Sequence, residues 1–355
     1  MSRFWTDLAR GLTPYVPGEQ PAGRRLCKLN TNESPYPPSP AVMRAIAAVT
    51  AQRLRLYPDP ESNRLREAFA ARYQLTPAQV FIGNGSDEVL AFAFMGLLKH
   101  AEPLCFPDVS YSFYPVWSAL CEIGFREIPV AGDFSIDIEA FPRENGGIVV
   151  PNPNAPTGML MKLAAVRQLL ERSPDSVVVI DEAYIDFGGE SAAQLVPEYP
   201  NLLVIQTLSK SRALAGLRVG VALGNEALIE GLARIKNSFN SYPVDVIAQE
   251  GALASLADEA YFNETRQRVI ASRERLSEQL VSLGFSVLPS HANFLFVTHA
   301  SEPAEALFQG LRGRDILVRH FSRPRIDNYL RISIGTDEDC DTLVAALRAL
   351  LAKAG

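Results

Sequence analysis

Between residues 80 and 223 the chain alternates short apolar runs with longer stretches of helical period. The runs fall at 80–83, 103–106, 126–130, 147–150, 177–181, 202–207 and 219–223, and most lack an inside–outside alternation. A strand that is apolar on both faces is buried on both. Separated by helix-length stretches such as 89–100 and 163–172, these runs predict an α/β fold, a mostly parallel sheet with helices on both sides. Beyond about residue 225 the texture changes. A long helical stretch over 258–283 precedes strand candidates at 286–288, 294–297, 316–319 and 330–334, and a last helix over 342–352. That pattern predicts a smaller α+β domain. We expect an N-terminal arm at 1–35, a large domain at 36–240 and a small C-terminal domain at 241–355, to which the arm contributes. The arm runs into Pro35-Tyr36-Pro37-Pro38, which cannot form an ordinary helix or a central strand. It is expected either to lie across a partner subunit or the small domain, or to be disordered.

Composition narrows the picture. Of 355 residues, 47% are apolar and 21% charged, ordinary values for a globular protein of this size. The formal net charge of −6 gives no support to a nucleic-acid or anionic-membrane surface, so any anion site must be built locally. Cys27, Cys105, Cys121 and Cys340 lie far apart with no CxxC pair, which predicts neither a sequence-local zinc site nor a disulfide framework. No metal site is expected. The first residues lack a basic start followed by an apolar core, and no run reaches the length of a membrane span. The expectation is a reduced, cytoplasmic protein.

Candidate chemistry collects where the predicted strands end. LLVIQTLSK at 202–210 is a buried-strand pattern ending in Thr207, Ser209 and Lys210. At the carboxyl edge of an open sheet a lysine is either a solvated surface group or an amine kept neutral enough to attack an aldehyde. VVVIDEAY at 177–184 delivers Asp181 and Glu182 to the same edge, where a buried carboxylate needs a partner. A protonated pyridine nitrogen would serve; a Mg²⁺-holding acid is the competing reading, and no GxxxxGK[ST] accompanies it. FIGNGSDEVL at 81–90 turns through Gly83-Asn84-Gly85 into a helix, either a phosphate-binding start or a plain capped one. Asp87 and Glu88 would repel a phosphate there unless their side chains cap or pair. PNPNAPTG at 151–158 is a turn able to present Asn152 and Asn154. LRISIGT at 330–336 sets Arg331 in a strand, either snorkelling to water or gripping a carboxylate or phosphate.

Taken together, these segments resemble the fold-type-I pyridoxal-phosphate (PLP) aminotransferases, and within them the histidinol-phosphate branch. LNTNESPYPPSP at 29–40, YPDP at 57–60, GNGSDE at 83–88, PTG at 156–158, DEAYIDF at 181–187, TLSK at 207–210, ALAGLRVG at 213–220, HANF at 291–294 and LRISIGT at 330–336 carry the resemblance over nearly the whole chain. It implies a large PLP-binding domain with a mostly parallel mixed sheet and a smaller α+β domain. Lys210 would anchor the cofactor as a Schiff base and move the substrate proton. Asp181 would pair the pyridine nitrogen, Tyr184 would bond the phenolic oxygen, and Tyr111 would stack on the ring. Ser86, Asp87, Ser209 and Arg218 would hold the phosphate, with Tyr57 reaching it from the neighbouring subunit of a homodimer. Arg331, Arg319 and Tyr15 would bind substrate anions. The family often reads N-N-P-T-G where this chain has Asn154-Ala155-Pro156, so Asn154 is expected to serve from one position earlier, or Tyr184 to act without it.

The resemblance further implies a ping-pong exchange between L-glutamate/2-oxoglutarate and imidazole-acetol phosphate/L-histidinol phosphate, in histidine biosynthesis. An aromatic-amino-acid aminotransferase or a phospho-amino-acid decarboxylase of the same fold is the alternative. A non-catalytic protein that kept the fold would have no need of Lys210, Asp181 and Arg218 together.

Overall fold

The computed structural model describes residues 2–20 and 26–354; the part of the expected arm at 21–25 lies outside the described residues. A seven-stranded sheet carries the strand order Val80–Asn84, Val219–Gly224, Leu202–Thr207, Val178–Asp181, Ile148–Pro151, Leu104–Pro107, Phe125–Ile128. Neighbours are parallel except at Val219–Gly224, which runs antiparallel to both of its partners. Every residue of Val178–Asp181, Leu202–Thr207 and Val219–Gly224 is buried, which is why their sequence shows no polar face.

Successive residues along the strands point to opposite sides and feed two cores. Val150, Ile180 and Val204 join Leu65 and Phe69 of Asn63–Tyr73, Leu169 of Leu163–Arg172, and Ala248 and Ala252 of Val246–Ala257. On the other side Val149, Val179 and Leu203 meet Val89 and Phe94 of Gly85–Leu97, Trp117 of Tyr114–Leu120, and Leu232 of Glu226–Phe239. By its packing Val246–Ala257 belongs to the large sheet, although it follows the expected junction at residue 240.

The second unit is an antiparallel sheet with the order Arg319–His320, Leu330–Ser333, Phe294–His299, Phe285–Val287. Its core draws on Glu259–Ser282, Ala304–Arg312 and Asp337–Ala354. Two expectations need correction here. The single strand expected at 316–319 is two. Ile316–Leu317 pairs in parallel with Cys27–Lys28 of the arm, and the chain passes through buried Val318 before Arg319–His320 enters the small sheet. The helices expected at 89–100 and 342–352 begin earlier, at Gly85 and Asp337. The arm is anchored at this point, since Leu29 is buried in the small-domain core.

Among the described residues no helix is long and apolar enough to cross a membrane, and no cluster of His, Cys, Asp or Glu could hold a metal.

Candidate active site

The parallel strands ending in Pro151, Asp181 and Thr207 open on one edge of the large sheet. Because Val219–Gly224 runs the other way, its start lies at that same edge, with Gly220 opposite both Thr207 and Gly83. This reversal brings Arg218 beside Ser209 and the helix beginning at Gly85. A cavity at this edge is lined by Asp181, Ser86, Asp87, Tyr111, Ser209, Lys210 and Arg218. Tyr184, Arg319, Arg331 and the arm residues Tyr15, Asn30, Thr31 and Asn32 line it too.

Two glycines are required by how closely these parts approach. Gly85 has φ +79°, and a Cβ on it would overlap the Arg218 guanidinium. A Cβ on Gly220 would overlap the backbone of Gly85 and Ser86. The acidic first turn does not repel an anion, because its carboxylates are engaged. Arg218 donates to Asp87 Oδ2 at 2.9 Å, Tyr111 donates to Asp87 Oδ1 at 3.2 Å, and Glu88 turns back to accept from the Asn84 N–H at 2.6 Å. The Thr207 hydroxyl lies 2.9 Å from Ser209 Oγ, and Arg218 Nη1 lies 3.4 Å from that oxygen.

Asp181 is buried, and no described cation is in ion-pair contact with it. Tyr114 donates to its Oδ2 at 2.8 Å, and the Ala183 N–H reaches Oδ1 at 3.3 Å. Burial nevertheless pushes this carboxyl up from 3.8 to about 6. Burial first, then the Asp181 charge, holds the Tyr114 phenol well above its ordinary pKa, so it stays a donor. Lys210 Nζ donates to the Thr31 carbonyl at 3.2 Å, tying the candidate nucleophile to the arm.

On the small-domain wall, Arg319 and Arg331 are direct partners in an antiparallel ladder and so project from the same face. Like charges in that arrangement repel. No described carboxylate pairs with either: Arg331 donates to the Asn30 carbonyl at 2.9 Å, Arg319 reaches only the Val16 carbonyl at 3.5 Å, and Arg331 Nε is buried without a partner. Burial, with Arg319 adding to it, lowers the Arg331 pKa. Tyr15 reaches over this wall and stacks on Phe113 with centroids 4.7 Å apart.

Two expected site residues lie off this chain's own cavity, Tyr57 among them as a reach to the neighbouring subunit requires. Asn154 is fully buried, its amide committed to the Val109 carbonyl at 2.9 Å, and Ala155 takes the place on the cavity wall. Tyr57 is outside the cavity, 81% exposed, and stacked on Tyr242. Tyr114, Thr31 and Asn32 take part in the site although no motif marks them for it. Asn30, Thr31 and Asn32 carried one signal, three polar residues in an irregular segment that the structure buries or half-buries.

A sheet edge with this constellation and an attached antiparallel domain define a class of enzyme. Residues 24–347 match the family model for aminotransferase class I and II, and the chain belongs to that family. It is 58% identical over 355 residues to histidinol-phosphate aminotransferase of Aromatoleum aromaticum, covering 99% of this chain and 100% of that one. It is 56% identical to histidinol-phosphate aminotransferase 1 of Hydrogenovibrio crunogenus, covering 99% of both. The crystal structure of histidinol-phosphate aminotransferase from Sinorhizobium meliloti in complex with pyridoxal-5'-phosphate superposes with a TM-score of 0.90 at 26% identity, over 100% of this chain and 99% of that one.

Proposed function

We propose that this chain is a PLP-dependent aminotransferase that exchanges the amino group of L-glutamate with imidazole-acetol phosphate, giving 2-oxoglutarate and L-histidinol phosphate in reversible half-reactions. The observation that carries the substrate reading is the Arg319–Arg331 pair, two like charges held opposite each other with no described carboxylate to answer them. Guanidinium groups fork equally well onto carboxylate and phosphate, so one pair suits both a dicarboxylate and a phosphorylated amine. The close relatives of that name support the same reading.

The residues present fit the cofactor. A buried carboxylate without a cation suits a protonated ring nitrogen, and a glycine-opened helix start beside Ser209 and Arg218 suits a phosphate. Asp181 would hold the ring nitrogen, Lys210 the aldehyde carbon, Tyr184 the phenolic oxygen, and Tyr111 a ring face. Ser86 and Asp87 backbone groups, Ser209 and Arg218 would hold the phosphate. When bound, PLP supplies an electron-withdrawing ring and a carbon that carries the amino group between the two half-reactions. Lys210 Nζ would be the base that takes the proton from Cα of the amino donor in one half-reaction and supplies one to Cα of the keto acceptor in the other. Arg331 and Arg319 fix the far end of the substrate, and Tyr15 covers it from the arm and limits water. Asp181, kept charged by its partner, sustains the pull on electrons leaving Cα.

We further propose a cytoplasmic homodimer with shared sites. Tyr57, Leu54, Leu56 and Phe239 are each more than half exposed, an apolar set that a second subunit would cover, bringing Tyr57 to the neighbouring phosphate site.

The test is a visible spectrum of the purified protein before and after L-histidinol phosphate, with no keto acid added. Conversion of the cofactor's aldehyde band to its amine form supports the reading. A response to phenylalanine in preference to the phosphorylated amine would favour the aromatic alternative. Carbon dioxide in place of a keto product would favour a decarboxylase.

A further inference from the structure

The Ala155 methyl on the cavity wall cannot donate a hydrogen bond, and the neighbouring Asn154 is buried off that wall with its Nδ2 donating to the Val109 carbonyl. The amide that does approach the cavity's phenol comes from the arm. Asn32 Nδ2 donates to the Tyr184 hydroxyl at 2.9 Å, across 152 residues of sequence.

The orientation of that amide is fixed by its other contacts. The Asn32 N–H donates to Ser333 Oγ at 2.9 Å, so the serine hydroxyl proton is free to go to Asn32 Oδ1, 2.8 Å away. Flipping the amide would take from the Ser333 hydroxyl the oxygen it donates to and turn that oxygen toward the phenol. Asn293 Nδ2 holds the Asn32 carbonyl at 2.9 Å, and Asn32 sits in the left-handed region at φ +57°, which asparagine tolerates. Asn32 is 1% exposed. A phenol that receives a hydrogen bond from one side keeps its own proton for another acceptor.

We propose that Asn32 is a positioning residue that turns Tyr184 into an obligate donor toward the phenolic oxygen of the cofactor, supplying from the arm the control that the turn at 151–158 lacks. The proposal rests on the cofactor reading given above. A hydrogen bond donated to an ionised oxygen favours its ionised form, so Asn32 keeps the apparent pKa of the bound cofactor low. Ser333 and Asn293 belong to the small domain, so the arm and that domain together set the electronics of a group held by the large one.

The experiment is a pH titration of the visible band of the holoenzyme for wild type, Asn32→Asp, Tyr184→Phe and the double variant. Aspartate keeps the size and tolerates the left-handed backbone, but it accepts from Tyr184 and draws its proton away. Asn32→Asp should raise the apparent pKa of the band by about one pH unit, and the shift should largely vanish in the Tyr184→Phe background. Ser333→Ala, which frees the amide without adding charge or touching residue 32, should move the pKa the same way by less. An unchanged titration in both Asn32→Asp and Ser333→Ala overturns the proposal while leaving the cofactor reading intact. A shift of equal size without the Tyr184 hydroxyl also overturns it, since charge alone would then be acting. A wild-type protein with no visible band after PLP is added overturns the cofactor reading and this proposal with it.

Discussion

The two walls of the cavity treat charge differently. On the large-domain side nearly every ionised group already has an answer: Asp87 meets Arg218 and Tyr111, Glu88 caps the Asn84 N–H, and Asp181 receives Tyr114 and the Ala183 N–H. On the small-domain side Arg319 and Arg331 face each other with backbone carbonyls and the rings of Phe294 and Phe321 nearby, and no described carboxylate pairs with either. A group that stays bound can be met by a finished network. A group that must arrive and leave twice per cycle needs positive charge left free for it. On the proposed reading the resident cofactor belongs to the first wall and the exchanging substrates to the second.

Breaking the first wall should have the largest effect. Lys210→Ala is expected to lower turnover by about 1000-fold or more, because both the covalent anchor and the Cα base are lost. Retained activity in steady-state assays would remove Lys210 from the mechanism.

Asp181→Asn comes next. It should weaken cofactor retention and lower turnover by about 100-fold, since a neutral amide no longer holds the ring nitrogen protonated. Its effect on the cofactor-free chain has the opposite sign. With the folded pKa raised from 3.8 to about 6, the folded state keeps a proton that the unfolded state has lost between those values. Stability therefore falls as pH rises through that window, and the cost is complete above about pH 6. At pH 7.5 the cofactor-free Asn variant should be the more stable, by on the order of 2 kcal/mol, and the advantage should disappear near pH 4. Glu182, raised by burial to about 7, adds a pH dependence of the same sign that the variant keeps. Thermal melts of both chains across pH check this.

Breaking the second wall should be gentler and of a different kind. Arg331→Ala removes two or more charge-assisted hydrogen bonds, about 2–3 kcal/mol, and should lower kcat/KM for L-histidinol phosphate by about 100-fold. Cofactor content should not change. Arg319→Ala should cost about tenfold by the same assay, because its side chain is nearer solvent and its charge better screened.

Much of this contrast was legible in the sequence, and the limits have physical causes. Strands such as 177–181 and 202–207 announced themselves because burial on both faces leaves an uninterrupted apolar run. Their carboxyl ends then located Asp181, Ser209 and Lys210. Arg218 came from the resemblance; that it meets Ser209 depends on Val219–Gly224 running antiparallel, which no local pattern encodes. The split of 316–319 between two sheets was hidden because Val318 is apolar like its neighbours. Bonds such as Tyr114 to Asp181, 67 residues apart, and Asn32 to Tyr184 join segments whose sequences say nothing about each other. The pairing of Asp87, posed by its place in a helix start, could be answered only by the three-dimensional neighbours Arg218 and Tyr111.

The most direct test of the division between the two walls is to purify Arg331→Ala beside wild type, measure bound PLP after gel filtration, and titrate each with L-histidinol phosphate while following the visible band. Equal cofactor content is expected, with a concentration for half-conversion about 100-fold higher in the variant. A variant that emerges without cofactor, or that converts at the wild-type concentration, would contradict it.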